Sequence, residues 1–114
     1  MDLSKGKGNV MKHLVLGSRG QVGRYVVEEI KDSGQEVVEW DIVMGPDYDL
    51  RVGSKELIEV MSNCDYVHFL ASDVGGSKYL AAKQDSFEFI QNNVLLMDNV
   101  FSALKLTNKP FYYT

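Results

Sequence analysis

The chain has 114 residues, 45% of them hydrophobic and 25% charged, enough for one compact domain that buries roughly two-thirds of its unfolded surface. Twelve Lys and Arg against sixteen Asp and Glu leave a net charge of −4, which excludes a general attraction to nucleic acid or to an anionic membrane and makes any phosphate recognition local. The single cysteine, Cys64, cannot form an internal disulfide or supply a Cys-based zinc site, and this usage predicts a cytoplasmic chain in a reducing compartment.

The first dozen residues carry charge and two glycines but no signal-peptide core, and no stretch approaches the roughly 20 apolar residues of a membrane span. Residues 1–11 are expected to be a mobile arm, and 12–114 one domain. His13 to Leu16 is a short apolar run that fits a strand buried on both faces. Over 21–33 the period changes: Val22, Val26 and Ile30 fall four apart, flanked by Tyr25 and Val27. This predicts a helix stopped by Gly34. Residues 36–43 form a second predicted strand. Gly45-Pro46-Asp47 marks a turn, and Tyr48 to Leu50 reads as a very short third strand. Ser54 is the N-cap of a helix through Met61, with Leu57, Ile58 and Met61 inward. Residues 65–71 make the fourth strand, and a loop containing Gly75-Gly76 follows. A long helix is predicted over 85–106, its apolar face built from Phe89, Ile90, Val94, Met97, Val100, Phe101 and Leu104. After Pro110 the fifth strand begins.

Strands alternating with helices predict an α/β three-layer sandwich around a parallel sheet of order 3-2-1-4-5, truncated after strand 5. Ligands meet such sheets beyond the carboxyl ends of the strands, where the order reverses. The first such end is Gly17-Ser18-Arg19-Gly20-Gln21-Val22-Gly23, directly after a strand and opening a helix. Gly17 permits a tight turn, Gly20 removes the side chain that would obstruct a pyrophosphate, and Gly23 lets helix and strand approach. The helix offers its first N–H groups and positive dipole end to phosphates. Asp41, eighteen residues beyond Gly23, can accept hydrogen bonds from an adenosine ribose and disfavours a 2′-phosphate. Glycines also serve simply to turn a chain, and an acid at a strand end can be merely solvated. Arg19 beside the turn could reach a 2′-phosphate or point into solvent; the balance favours NAD over NADP.

The spacing G-x-x-G-x-x-G, preceded by Lys12 to Leu16, resembles the Rossmann-type cofactor domain of the extended short-chain dehydrogenase/reductases, the NAD-dependent epimerase/dehydratase family. Asp49-Leu50-Arg51 resembles the family's adenine-contacting pair, and Val67 to Ser72 its fourth strand, whose end lines the cofactor. Asp73-Val74-Gly75-Gly76 resembles the loop of the nucleotide-sugar branch, in particular GDP-mannose 3,5-epimerase and GDP-fucose synthase. Gln91-Asn92-Asn93-Val94 is similar to an Asn-bearing segment of the long helix, and 110–114 to the fifth strand. The resemblance implies a dinucleotide held by residues 17–23, Asp41, Asp49, Leu50, Leu70, Ala71, Ser72 and Asn92, with Gly75 and Gly76 toward a hexose. The alternative for Gly75 and Gly76 is a loop without ligand, and for Asn92 a side chain that satisfies local backbone groups.

In that family a Tyr-x-x-x-Lys pair after strand 5 supplies the base, assisted by a Ser or Thr. None lies within 1–114 at that place, so no catalytic residue is assigned and the chain alone is expected not to turn over. Tyr79 and Lys83 satisfy the spacing one βα unit too early. His13 and His68 read as packed strand residues, and no cluster has metal-ligand spacing. Two functions compete: the cofactor-binding portion of a nucleotide-sugar epimerase or dehydratase, and a non-catalytic dinucleotide- or partner-binding module. An open edge at the fifth strand predicts a homodimer in either case.

Overall fold

A computed structural model describes residues 10–71 and 87–113. Most of the expected N-terminal arm, residues 1–9, lies outside the described residues. Strands β1 (Lys12–Leu16), β2 (Glu36–Trp40), β3 (Tyr66–Phe69) and β4 (Phe111–Tyr113) form one parallel sheet in the order β2-β1-β3-β4. Register pairs Leu16 with both Trp40 and Phe69, so three strands end level with one another. Helices α1 (Gln21–Asp32), α2 (Lys55–Ser62) and α3 (Phe87–Thr107) accompany the sheet.

Both faces of β1 are buried, as its unbroken apolar run requires. Leu14 and Leu16 pack with Val67, Phe69, Trp40 and the α2 and α3 residues Leu57, Met61, Leu96 and Val100. On the opposite face Val15 packs with Val27 and Ile30 of α1. The result is three layers, with α1 on one side and α2 and α3 on the other. Each of these fully buried aliphatic side chains is worth about 1.5–3 kcal/mol over its exposed state.

Helix ends follow the local chemistry. The Leu57 N–H donates to Ser54 Oγ at 3.0 Å, which starts α2 where the N-cap predicts. At the end of α1, Gly34 N–H reaches the Lys31 carbonyl and Gln35 N–H the Ile30 carbonyl, the paired bonds of a Schellman stop.

Three sequence expectations are corrected. The second strand stops at Trp40 instead of Val43, because the Asp41 carboxylate accepts from the Val43 N–H and caps a 3-10 turn over Ile42–Met44. No strand forms over Tyr48 to Leu50. Pro46 opens another 3-10 turn through Tyr48, and the Asp49 carboxylate takes the Arg51 N–H, so local bonds replace a sheet ladder. The described sheet is accordingly 2-1-4-5 in the numbering of the expected strands, without an outer third strand. The third correction concerns helix faces. Val22 and Tyr25 are 58% and 75% exposed; of the expected α1 face Val27 and Ile30 are buried and Val26 half-buried, and Gly23 joins them at the core. On α3, Ile90 and Val94 are exposed, whereas the expected Val100 and Leu104 are buried together with Leu96 and Ala103, and Met97 and Phe101 pack against them.

Candidate functional site

The glycine turn sits where β1, β2 and β3 end together. Gly17 N–H donates to the Trp40 carbonyl at 2.7 Å, tying the turn to β2, and Leu70 N–H donates to the Leu16 carbonyl at 2.9 Å, tying it to the end of β3. Gly17 has φ of +90°, and a Cβ there would stand 2.8 Å from the Ala71 nitrogen. At Gly23 a Cβ would stand 2.0 Å from the Gly17 carbonyl oxygen, inside the helix–turn contact. Both positions therefore need glycine for reasons internal to the fold.

Gly20 differs. Its φ of −73° and ψ of 175° suit any residue, and a Cβ there would meet only the Gly17 carbonyl oxygen, at an ordinary 3.5 Å. Nothing among the described residues demands glycine at this position. Gly20 is also the N-cap of α1 and offers no side-chain bond to the helix. The first intrahelical bond runs from the Arg24 N–H to the Gly20 carbonyl, so the N–H groups of Gln21, Val22 and Gly23 have no partner within the helix, and no acid occupies that turn. Beside them, Ser18 Oγ is buried with no hydrogen-bond partner among the described residues. An open cradle, an orphaned hydroxyl and a positive helix end fit a phosphate group.

Asp41 lies at the same edge, directly after β2. Its Oδ2 accepts from the Arg19 backbone N–H at 2.9 Å and its Oδ1 from Val43 N–H at 3.1 Å. A carboxylate has about four acceptor positions, so two further hydroxyl donors can be accommodated. The Arg19 guanidinium turns away from this carboxylate and pairs through Nε with Glu39 Oε1 at 3.0 Å.

Of the other predicted site residues, Leu70 and Ala71 are half-buried against the turn. Leu50 is packed into the main core, and its carbonyl accepts from Asn99 Nδ2 at 3.0 Å. Asp49 is held by a two-pronged pair with Arg51, at 2.9 and 2.8 Å, which pulls its carboxyl below the usual range against the opposing effect of burial. Asn92 is half-buried in the second turn of α3. Ser72, Gly75 and Gly76 lie outside the described residues, as do Tyr79 and Lys83. Sequence reasoning missed Glu39 and Asn99; an acid two residues before Asp41 on the same strand was the available signal for the first, and nothing marked the second.

The two histidines are packed as expected. His13 Nδ1 and His68 Nε2 are 3.0 Å apart, and Tyr66 flanks both rings. Burial lowers the pKa of His13, partly opposed by Asp65, and burial together with His13 takes His68 to about 4. Burial pushes the Cys64 thiol up, away from a reactive thiolate. Among the described residues no cluster of three or more His, Cys, Asp or Glu is placed to hold a metal, and no helix is long and apolar enough to cross a membrane.

A parallel sheet with helices on both faces and a glycine turn between β1 and α1 defines a Rossmann-type α/β unit. Within that class, the chain belongs to the NAD dependent epimerase/dehydratase family, whose model matches residues 13–114. It is similar to the UDP-N-acetylglucosamine 4-epimerase of Bacillus cereus, with 28% identity and a TM-score of 0.66 over 90% of this chain and 36% of that one. Two further structures share the fold. The UDP-glucose 4-epimerase of Thermus thermophilus, solved in complex with NAD, has 23% identity and a TM-score of 0.64, covering 86% of this chain and 35% of that one. The Campylobacter jejuni GDP-mannoheptose C4 reductase, with NADP bound, has 20% identity and a TM-score of 0.69, covering 99% and 33%. The chain thus spans about a third of the length of the solved structures it resembles. No curated protein matches it significantly.

Proposed function

We propose that this chain is the nicotinamide-dinucleotide-binding portion of an enzyme that acts on a nucleotide sugar by epimerisation or dehydration. The observation that carries the binding half of this reading is Gly20. Its missing side chain has no explanation in the packing of the described residues, whereas the neighbouring Gly17 and Gly23 are explained fully. The space a methyl group would fill is space a diphosphate needs. The first-turn N–H groups of α1 and the Ser18 hydroxyl then hold the diphosphate, and Asp41 accepts from the adenosine ribose. The nicotinamide would supply hydride exchange at a hexose carbon. Trp40, buried directly before Asp41, fixes the height of that carboxylate by placing its carbonyl under Gly17. NAD is the favoured dinucleotide, because an unpaired 2′-phosphate beside Asp41 is repelled. The nucleotide-sugar class rests on the family and on solved structures of similar fold. The narrower likeness to GDP-sugar enzymes rests on residues 73–76, outside the described residues.

Titrating NAD while following Trp40 fluorescence tests this reading. A saturable change lost in Asp41→Ala is expected; no saturable change in the unsubstituted chain contradicts it. A second reading, self-association, is favoured by one observation. Phe111, Tyr112 and Tyr113 of β4 are all exposed at an edge of the described sheet. Light scattering across a concentration series should show a dimer, and a concentration-independent monomer mass overturns it.

A further inference from the structure

Arg19 is the cation nearest to Asp41 along the turn. Its backbone N–H is bonded to that carboxylate, so its Cα stands beside the group proposed above to accept from the adenosine ribose. An extended guanidinium there would meet a 2′-phosphate with the bidentate geometry suited to it. The side chain does not extend that way. Glu39, two residues before Asp41 on β2 and about 6.6 Å back along the strand, accepts from Arg19 Nε at 3.0 Å. Glu39 alternates with Val38 and Trp40, so it stands on the α1 side of β2, and the guanidinium is drawn to that side.

We propose that Glu39 is a positioning residue for cofactor choice: by tethering the Arg19 guanidinium back along β2 it withholds the cation that a 2′-phosphate requires, and so biases the site toward the dinucleotide that lacks one. The inference rests on the dinucleotide reading above and deepens it. Asp41 repels a 2′-phosphate directly; Glu39 acts at one remove, by keeping the compensating charge elsewhere. The Glu39 side chain is 27% exposed and belongs to neither hydrophobic cluster, so an isosteric amide at this position leaves the sheet intact.

The test is calorimetric titration of the chain with NAD and with NADP, comparing the ratio of the two affinities. Glu39→Gln should shift that ratio about fivefold toward NADP, the size expected for release of one solvent-screened ion pair. Glu39→Asp should fall between the two, and adding Arg19→Ala to Glu39→Gln should abolish the gain. Arg19→Ala alone should leave the ratio unchanged, since the guanidinium is already withheld. A Glu39→Gln ratio equal to that of the unsubstituted chain, with both dinucleotides still bound, overturns the proposal alone. So does a loss of NADP affinity in Arg19→Ala alone. Binding of neither dinucleotide to the unsubstituted chain overturns the site assignment and the proposal together.

Discussion

The glycine turn and the β4 edge of the sheet are finished differently. Around the turn, backbone bonds from Gly17 and Leu70 join three strands, and two glycines are packed so closely that no Cβ fits. Around β4, three aromatic residues are exposed, and on α3 the exposed apolar residues Ile90 and Val94 continue the pattern. The first region is tied on three sides, by α1, by the end of β2 and by Leu70 and Ala71 after β3. The second gains its packing from a short edge strand, through Phe69 and Phe101 against Tyr113 and Phe111. Within the turn the contrast is sharper still: Gly23 is a structural necessity and Gly20 is not.

Substitutions should separate these regions. Gly23→Ala forces the α1–β1 contact apart and should cost about 3 kcal/mol, lowering Tm by about 15 °C; a thermal melt indistinguishable from the unsubstituted chain would show that the helix can shift freely. The buried histidine pair joins β1 to β3 and gives the next effect. His68 keeps its proton only below about pH 4 in the folded chain, against 6.5 for the ordinary side chain. The unfolded chain therefore binds more protons between these values, and the associated stability is complete above pH 6.5 and is lost as pH falls toward 4. Urea midpoints should fall by the equivalent of up to about 3 kcal/mol across that window. His68→Gln should flatten the slope, and an unchanged slope would locate the proton uptake elsewhere. Asp49, whose carboxyl is lowered by Arg51, acts in a more acidic window, so the two are distinguishable. Ser54→Ala, which removes the cap of α2, should cost about 1 kcal/mol by chemical denaturation; a cost near zero would mean that Glu56 or water replaces it. Tyr112→Lys at the β4 edge should have the smallest effect on stability and should weaken the self-association proposed above by about tenfold, read by light scattering.

The parts of the molecule that were legible from residues are those where one signal dominates. An apolar run buried on both faces marked β1, Ser54 marked the start of α2, and the glycine turn followed from its place between strand and helix. The missed parts are those where two local signals compete. Tyr48 to Leu50 has strand-like residues, but Pro46 and the Asp49 side chain supply nearer partners than any ladder. On α1 the hydrophobic period pointed to Val22, while the buried face runs through Gly23, a residue whose value lies in having no side chain. The Arg19–Glu39 pair joins a loop to a strand twenty residues away, and charge patterning along one segment does not reveal it.

The central claim is that Gly20 is kept open for a ligand, and Gly20→Ala measures it directly. Calorimetric titration with NAD, alongside a thermal melt of the same protein, should show Tm unchanged within about 2 °C and affinity lowered at least about tenfold. Unchanged NAD affinity in a folded Gly20→Ala chain would contradict the account.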